Sequence, residues 1–297
     1  MHISLSPHYR GYGSVGEEQT NGIADVKETY DFALEADAAV PATVPPSQKS
    51  VLPSPSPCCS TSPSSLHSSS LSNQPKYMKL IGPNQWPEEA SVPAFRKIIL
   101  EYIQRMRTLG LHIVRLFEMC LYLPEGALLR HFEDSSDSAY SLLRLLKYPP
   151  AAEGSQGVGR HVDQGCLVIL LQDDIGGLEV ELPNKKWITA PPIRDTFIVN
   201  IGSSLETWSD GYFVATPHRV MNPSMSAGTS RFSIPFFMEP SLTSVIVPFP
   251  LAQSLIEKEG GRELQKKKED SPSSFVYGER MLMVFERSYA DIPATHT

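Results

Sequence analysis

Two imidazoles and one carboxylate, His161, Asp163 and the distant His218, make up the donor set of a non-haem iron(II) site that keeps coordination positions open. His161-Val162-Asp163 supplies two of the three within one short stretch. At the end of a strand, positions 161 and 163 point to one face because strand side chains alternate, and Val162 turns away into packing. Gly165 eases the backbone through a bend just beyond. The apolar run Cys166-Leu167-Val168-Ile169-Leu170-Leu171 then reads as a buried strand, which sets the pair at a strand mouth.

The His-x-acid pattern says little by itself. With 8 histidines and 33 acidic residues in 297 positions, roughly one such pair arises by chance. A second one exists, His131-Phe132-Glu133, after the helix-like Ala127-Leu128-Leu129-Arg130. Residues two apart on a helix do not face each other, so this pair is expected to be helix surface and not a chelate.

His218 lies in Val214-Ala215-Thr216-Pro217-His218-Arg219-Val220, strand-like despite its proline. A turn-rich stretch from Asn222 to Thr229 follows, and Arg231-Phe232-Ser233-Ile234-Pro235-Phe236-Phe237 reads as the next strand. Paired as an antiparallel hairpin, with neighbouring strands about 4.8 Å apart, the two would place Arg231 near His218. A short dicarboxylate that chelates the metal at one end would then meet Arg231 at the other, and a guanidinium fork grips both oxygens. Ser233 faces the same way and offers a further hydrogen bond.

In this order and spacing, Gly159 to Pro240 resembles the core of the isopenicillin N synthase-like family of 2-oxoglutarate/Fe(II)-dependent dioxygenases. The matching pieces are His161-Val162-Asp163 with Gly165, Leu171-Gln172-Asp173-Asp174, Gly177-Leu178-Glu179-Val180, Trp187, Val199-Asn200-Ile201-Gly202, Pro217-His218-Arg219-Val220 and Arg231-Phe232-Ser233. The resemblance implies that His161, Asp163 and His218 bind Fe(2+). It implies that Arg231 and Ser233 hold the far carboxylate of 2-oxoglutarate, and that Tyr148, in Lys147-Tyr148-Pro149-Pro150, assists there. No catalytic residue is expected beyond the iron ligands. The implied activity consumes O2 and 2-oxoglutarate, releases succinate and CO2, and hydroxylates a small organic substrate, with desaturation or ring closure as alternatives. Ser203 departs from the family, which often has an acid after the glycine matched by Gly202; the metal site is not expected to suffer. Two other readings stay open: an oxidase of the same fold that needs no keto acid, which the Arg-x-Ser motif does not separate, and a non-catalytic relative. Asn200 and Gln172 are candidates for orienting ligands, or for plain packing.

Composition narrows the partners. Net charge is −7 and no basic block dominates, which disfavours nucleic acid. The lysine run Lys266-Lys267-Lys268 sits between Glu263 and Glu269 and reads as a solvated helix face. The four cysteines, Cys58, Cys59, Cys120 and Cys166, show no zinc-type spacing. Cys120 and Cys166 lie in apolar surroundings and are expected to be buried thiols, which suits a reducing compartment. The N-terminus has no apolar signal core and no run reaches membrane-spanning length, so no membrane partner is expected and the cytosol is the expected location.

The positioning elements follow in order. Residues 1–38, with Arg10-Gly11-Tyr12 and Asp25-Val26-Lys27-Glu28, read as a polar surface segment with a short helix, or by resemblance as a remnant of the family's N-terminal region. The chain starts almost at that point, so the family's opening strand and helices are expected to be absent. Residues 39–75, rich in proline and serine, read as a disordered insertion. Residues 76–137 form a helical scaffold, with a helix over about 92–122 judged from Ile98, Ile99, Tyr102, Ile103, Met106, Leu109, Ile113, Leu116 and Phe117. Residues 138–240 carry short β-like runs between turns, which suggests a double-sheet barrel or jelly roll. The fold class is therefore α+β, mainly β: a double-stranded β-helix core with a long supporting helix. Gly154, Gly157 and Gly159 are read as a mobile loop leading into His161. Residues 241–297 are a helical tail whose closing helix, by analogy with the family, covers the mouth of the site.

Overall fold

The computed structural model describes residues 1–35, 74–132, 139–251 and 274–289. The expected proline- and serine-rich insertion, apart from Gln74 and Pro75, and the lysine run of the helical tail lie outside those residues. Short strands come first: β1 (Gly11–Gly13), β2 (Gln19–Thr20), β3 (Ile23–Ala24) and β4 (Glu28–Ala33). After helix α1 (Phe95–Cys120) follow β5 (Leu142–Tyr148), β6 (Gln156–His161), β7 (Leu167–Gln172), β8 (Leu178–Glu181), β9 (Trp187–Thr189) and β10 (Ile198–Ile201). Helix α2 (Ser203–Trp208), β11 (His218–Met221), β12 (Arg231–Met238), the small pair β13 (Val245–Ile246) and β14 (Phe275–Val276), and helix α3 (Tyr277–Ser288) complete the described chain.

Two antiparallel sheets face each other, one of order β1-β4-β5-β12-β7-β10 and one of order β6-β11-β8-β9. This is a double-stranded β-helix with α1 laid on the outside of the larger sheet. Alternation along the strands does the sorting. On β12, Ile234, Phe236 and Met238 pack into the main core with Ile99, Ile103, Met106 and Val114 of α1, whereas Arg231, Ser233, Pro235 and Phe237 face the space between the sheets. On β5, Leu143 takes the helix side while Arg144, Leu146 and Tyr148 take the inner side. Helix α1 sits close because Gly110 meets β12 there: a Cβ at that position would lie 2.9 Å from Met238 Sδ. Pro235 is tolerated in a central strand because the β5 ladder skips it, passing from Ser233↔Leu146 to Phe236↔Leu143.

Several expectations need correction. β11 and β12 do not form a hairpin: each has both edges taken, β11 by β6 and β8 and β12 by β5 and β7, and they belong to opposite sheets. Gly157 and Gly159 lie inside β6 and not in a loop. The stripe assigned to α1 is rotated, since Ile98 and Leu116 are exposed. Cys166 is buried, but Cys120 ends α1 exposed. The surface-segment reading of the N-terminal residues fails, because Arg10, Asp25, Lys27, Thr29 and Asp31 are buried in and beside β-structure. The closing helix α3 packs its Phe285 against Tyr9, with ring centroids 5.0 Å apart, and is not among the elements lining the inter-sheet cavity. Among the described residues, no helix is long and apolar enough to cross a membrane.

Candidate metal centre and anion pocket

β6 ends on His161 and β11 begins on His218, and the two residues are paired directly across the ladder. Their rings lie 4.2 Å apart between centroids. Each ring is oriented by a carbonyl two residues back: His161 Nδ1 is 2.8 Å from the Gly159 oxygen and His218 Nδ1 is 3.0 Å from the Thr216 oxygen. A carbonyl only accepts, so the proton sits on Nδ1 in both rings and both Nε2 atoms keep a bare lone pair. Burial, reinforced by the neighbouring His218, holds the His161 imidazole below its usual titration range, which keeps it neutral.

Those lone pairs converge on Asp163, just past β6. Its Oδ1 is 3.7 Å from His161 Nε2 and its Oδ2 is 3.6 Å from His218 Nε2. One donor atom from each residue lies within 4.8 Å of the others, the grouping expected of three ligands around one ion. The carboxylate is itself oriented by Asn200 of β10, whose Nδ2 donates to Oδ2. The bend that carries Asp163 into place depends on two glycines in contact. A Cβ on Gly202 would lie 2.1 Å from the Gly165 oxygen, and one on Gly165 would lie 1.9 Å from a carboxyl oxygen of Glu239. The donor set fits a divalent iron: two neutral nitrogens and one anionic oxygen on one side, leaving the other side to the cavity.

Across that cavity, on the larger sheet, lies Arg231. It is 1% exposed, and its guanidinium donates to Ser233 Oγ at 3.1 Å and to Gln172 Oε1 at 3.0 Å, while Nε has no partner. Among the described residues no carboxylate pairs with it. A buried cation held only by neutral dipoles is a built site for an anion. Tyr148 lies opposite it on β5 and presents its ring to the guanidinium.

The cavity has a volume of about 310 Å³ and takes in His161, Asp163, His218, Arg231, Ser233 and Tyr148. Apolar side chains dominate the rest of its wall, among them Leu146, Leu170, Leu178, Ile198 and Val220. The structure thus brings together every site residue named from the sequence, although Arg231 reaches the space from the opposite sheet and not from a hairpin beside His218. Two charged lining residues were missed, Lys27 and Arg144. The signal for Arg144 was present: a lone charge inside Leu142-Leu143-Arg144-Leu145-Leu146, two residues from positions that must face inward. It pairs with Asp31 and Glu18, and Lys27 pairs with Glu18 and Asp25.

Glu133, the other half of the His131-Phe132-Glu133 pair, lies outside the described residues, and His131 itself is not helix surface. It sits in a 3-10 turn, half-buried 4.9 Å from the Trp208 ring, and burial pushes its imidazole down to about 4.

The profile of the 2OG-Fe(II) oxygenase superfamily matches residues 139–240. A 2-oxoglutarate-dependent dioxygenase, frbJ, of Dothideomycetidae sp. (strain 11243) is 30% identical over 261 residues, covering 86% of this chain and 61% of the relative. The chain therefore spans about three fifths of that relative's length. A 1-aminocyclopropane-1-carboxylate oxidase of Dictyostelium discoideum is 27% identical over 95% of this chain and 75% of its own. Among solved structures, JOX2 in complex with 2OG, Fe and JA superposes with a TM-score of 0.63 at 24% identity, over 95% of this chain and 67% of that one. A full-length Neurospora crassa protein in complex with alpha-KG and thymine does so with a TM-score of 0.63 at 23% identity, over 96% and 75%. At these identities the structural likeness is one of fold.

Proposed function

From the match of residues 139–240 to the 2OG-Fe(II) oxygenase superfamily we propose that the chain is a 2-oxoglutarate-dependent oxygenase of the isopenicillin N synthase-like kind, with residues 138–240 as its core. In this reading a small organic substrate is hydroxylated or desaturated, and succinate and CO2 are released. The observation that carries it is the buried Arg231, without a carboxylate partner among the described residues, lining the same cavity as the His161, Asp163 and His218 donors.

His161, Asp163 and His218 would hold the iron. Bound Fe(II), together with 2-oxoglutarate and O2, supplies the oxidising power that no side chain has. The rest falls to the protein. Gly159 and Thr216 carbonyls fix the two imidazole tautomers, and Asn200 fixes the carboxylate, so all three donors are set before the metal arrives. Arg231, backed by Gln172 and flanked by Ser233, takes the far carboxylate of 2-oxoglutarate and fixes its direction across the cavity. Tyr148 supports the guanidinium from one face. The apolar wall excludes water and gives the substrate a place to lie beside the metal. The two fold relatives are complexes with thymine and with JA, which supports an organic substrate here. The free thiol of buried Cys166 agrees with a reducing, cytosolic setting.

Anaerobic titration of the purified chain with Fe(II) and 2-oxoglutarate, followed by admission of O2 and assay of succinate, tests the proposal. One metal and one co-substrate per chain with O2-dependent succinate formation is expected. Metal binding without 2-oxoglutarate consumption would move the assignment to an oxidase, and failure to bind metal would mark a non-catalytic relative.

A further inference from the structure

The Asp25-Val26-Lys27 motif has no task in the reading above, yet it touches the strand that carries His161. β6 is the edge strand of its sheet, and its one partner, β11, does not hold it evenly. The ladder runs from His218↔His161 to Val220↔Val158, so β6 has one residue more than β11 over that interval. The extra residue falls in Gly159-Arg160, immediately before the metal donor. A bulge of this kind re-aims the side chain beside it and leaves its own backbone unpaired unless something else holds it.

Asp25 does the holding. It is 1% exposed, and its Oδ1 accepts from Gly159 N at 3.3 Å and from Gln156 Nε2 at 2.9 Å. Its Oδ2 accepts from Lys27 Nζ and Thr20 Oγ1, each at 2.9 Å. The adjacent backbone adds a clamp, Val26 N to the Gln156 oxygen at 2.9 Å. Gly159 thus spends its N–H on Asp25 and its carbonyl on His161 Nδ1. A Cβ at 159 would lie 2.7 Å from Gln156 Oε1, so a side chain there would push aside the end of the carboxamide that reaches Asp25.

We propose that Asp25 is a positioning residue for the metal centre: by holding Gly159 in the β6 bulge it aims the Gly159 carbonyl at His161 and so fixes the ring with Nε2 toward the cavity. Glu18 shares the same cluster through Lys27 and Arg144 but makes no bond to β6. The inference rests on His161 being a metal ligand, and the two ideas separate experimentally.

The test uses the full chain without metal, then with Co(II) as probe. Multiple-bond 1H–15N NMR of the wild type should show His161 as the Nδ1–H tautomer and a slowly exchanging Gly159 amide. In Asp25→Ala the His161 signal should become a mixture of tautomers, and Co(II) affinity should drop about 10–100-fold. Glu18→Gln should keep the wild-type tautomer whatever it loses in melting temperature. The inference is overturned if Asp25→Ala keeps both the tautomer and the affinity, or if the two variants shift alike in step with stability. Should Asp25→Ala not fold, the wild-type spectrum still decides, because a fast-exchanging Gly159 amide or an Nε2–H ring rules the link out. A wild type with the stated tautomer that binds no Co(II) would remove the metal centre while supporting the link from Asp25 to His161.

Discussion

Arg231 and Tyr148 are direct partners across the β5–β12 ladder, with the guanidinium carbon 5.0 Å from the centre of the tyrosine ring. The contact is made by the ring, so the part of Tyr148 that bears on the anion pocket is its π face.

Tyr148→Phe should therefore leave 2-oxoglutarate affinity within about twofold, whereas Tyr148→Leu should weaken it by up to about 30-fold, the scale of a desolvated cation–π contact of ~2 kcal/mol. Calorimetric titration of 2-oxoglutarate into the metal-loaded chain under argon compares the two. Equal losses in both variants would transfer the role to the hydroxyl.

Replacing the cation itself is a harsher change. Arg231→Leu should lower 2-oxoglutarate affinity by at least about 30-fold, since truncating one partner of a buried charge pair costs about 2–5 kcal/mol. Co(II) or Fe(II) should still bind, because none of the three donors hydrogen-bonds to Arg231. Unchanged 2-oxoglutarate affinity would take Arg231 out of the site.

Asn200 donates to the Asp163 carboxylate, and Asn200→Ala frees that carboxylate to rotate. Metal affinity should fall about 10–100-fold with the chain still folded. Competition against a chromogenic chelator measures this, and an unaltered affinity would reduce Asn200 to a packing residue.

Glu239 gives a pH dependence in a different place. Burial pushes its carboxyl up to about 8, against 4.5 in a solvated chain, although the Tyr277 hydroxyl donates to it and so favours the charged form. Below the unfolded value both states are protonated and the group's stabilisation is complete. As pH rises toward 8 the unfolded chain alone gains the charge, so stability is lost. From about pH 7 upward the depressed His131 and His161 rings are neutral folded and mostly neutral unfolded, which leaves Glu239 the larger influence. The melting temperature of the wild type should drop between about pH 7 and 8, and Glu239→Gln should flatten that slope and melt higher at pH 8. A variant that follows the wild-type slope excludes this carboxyl as the cause.

The site was readable from its residues because each carries an unusual chemical demand. His161, Asp163, His218 and Arg231 are polar residues beside apolar strand runs, and such positions call for a ligand or a partner. What could not be read was pairing. His218 and Arg231 lie on consecutive strands, and proximity in the chain suggested a hairpin; the edges of β11 and β12 were already committed to strands far away in sequence. The α1 stripe was misplaced for a similar reason. Helical periodicity gives the width of an apolar face, but the sheet beneath selects which side is used, and it left Ile98 and Leu116 outside. Lys27 and Asp25 looked like surface charge because a sequence does not show that opposite charges will meet in the interior.

The proposed metal donors hang from the smaller sheet and its exit, and the guanidinium proposed to take the co-substrate hangs from the larger one. A dicarboxylate held at both ends is then a strut between the two walls. Loading metal and 2-oxoglutarate together should stiffen the sandwich as a unit, slowing amide exchange in β6 and β12 alike, while metal alone should quiet only the strands that carry its ligands.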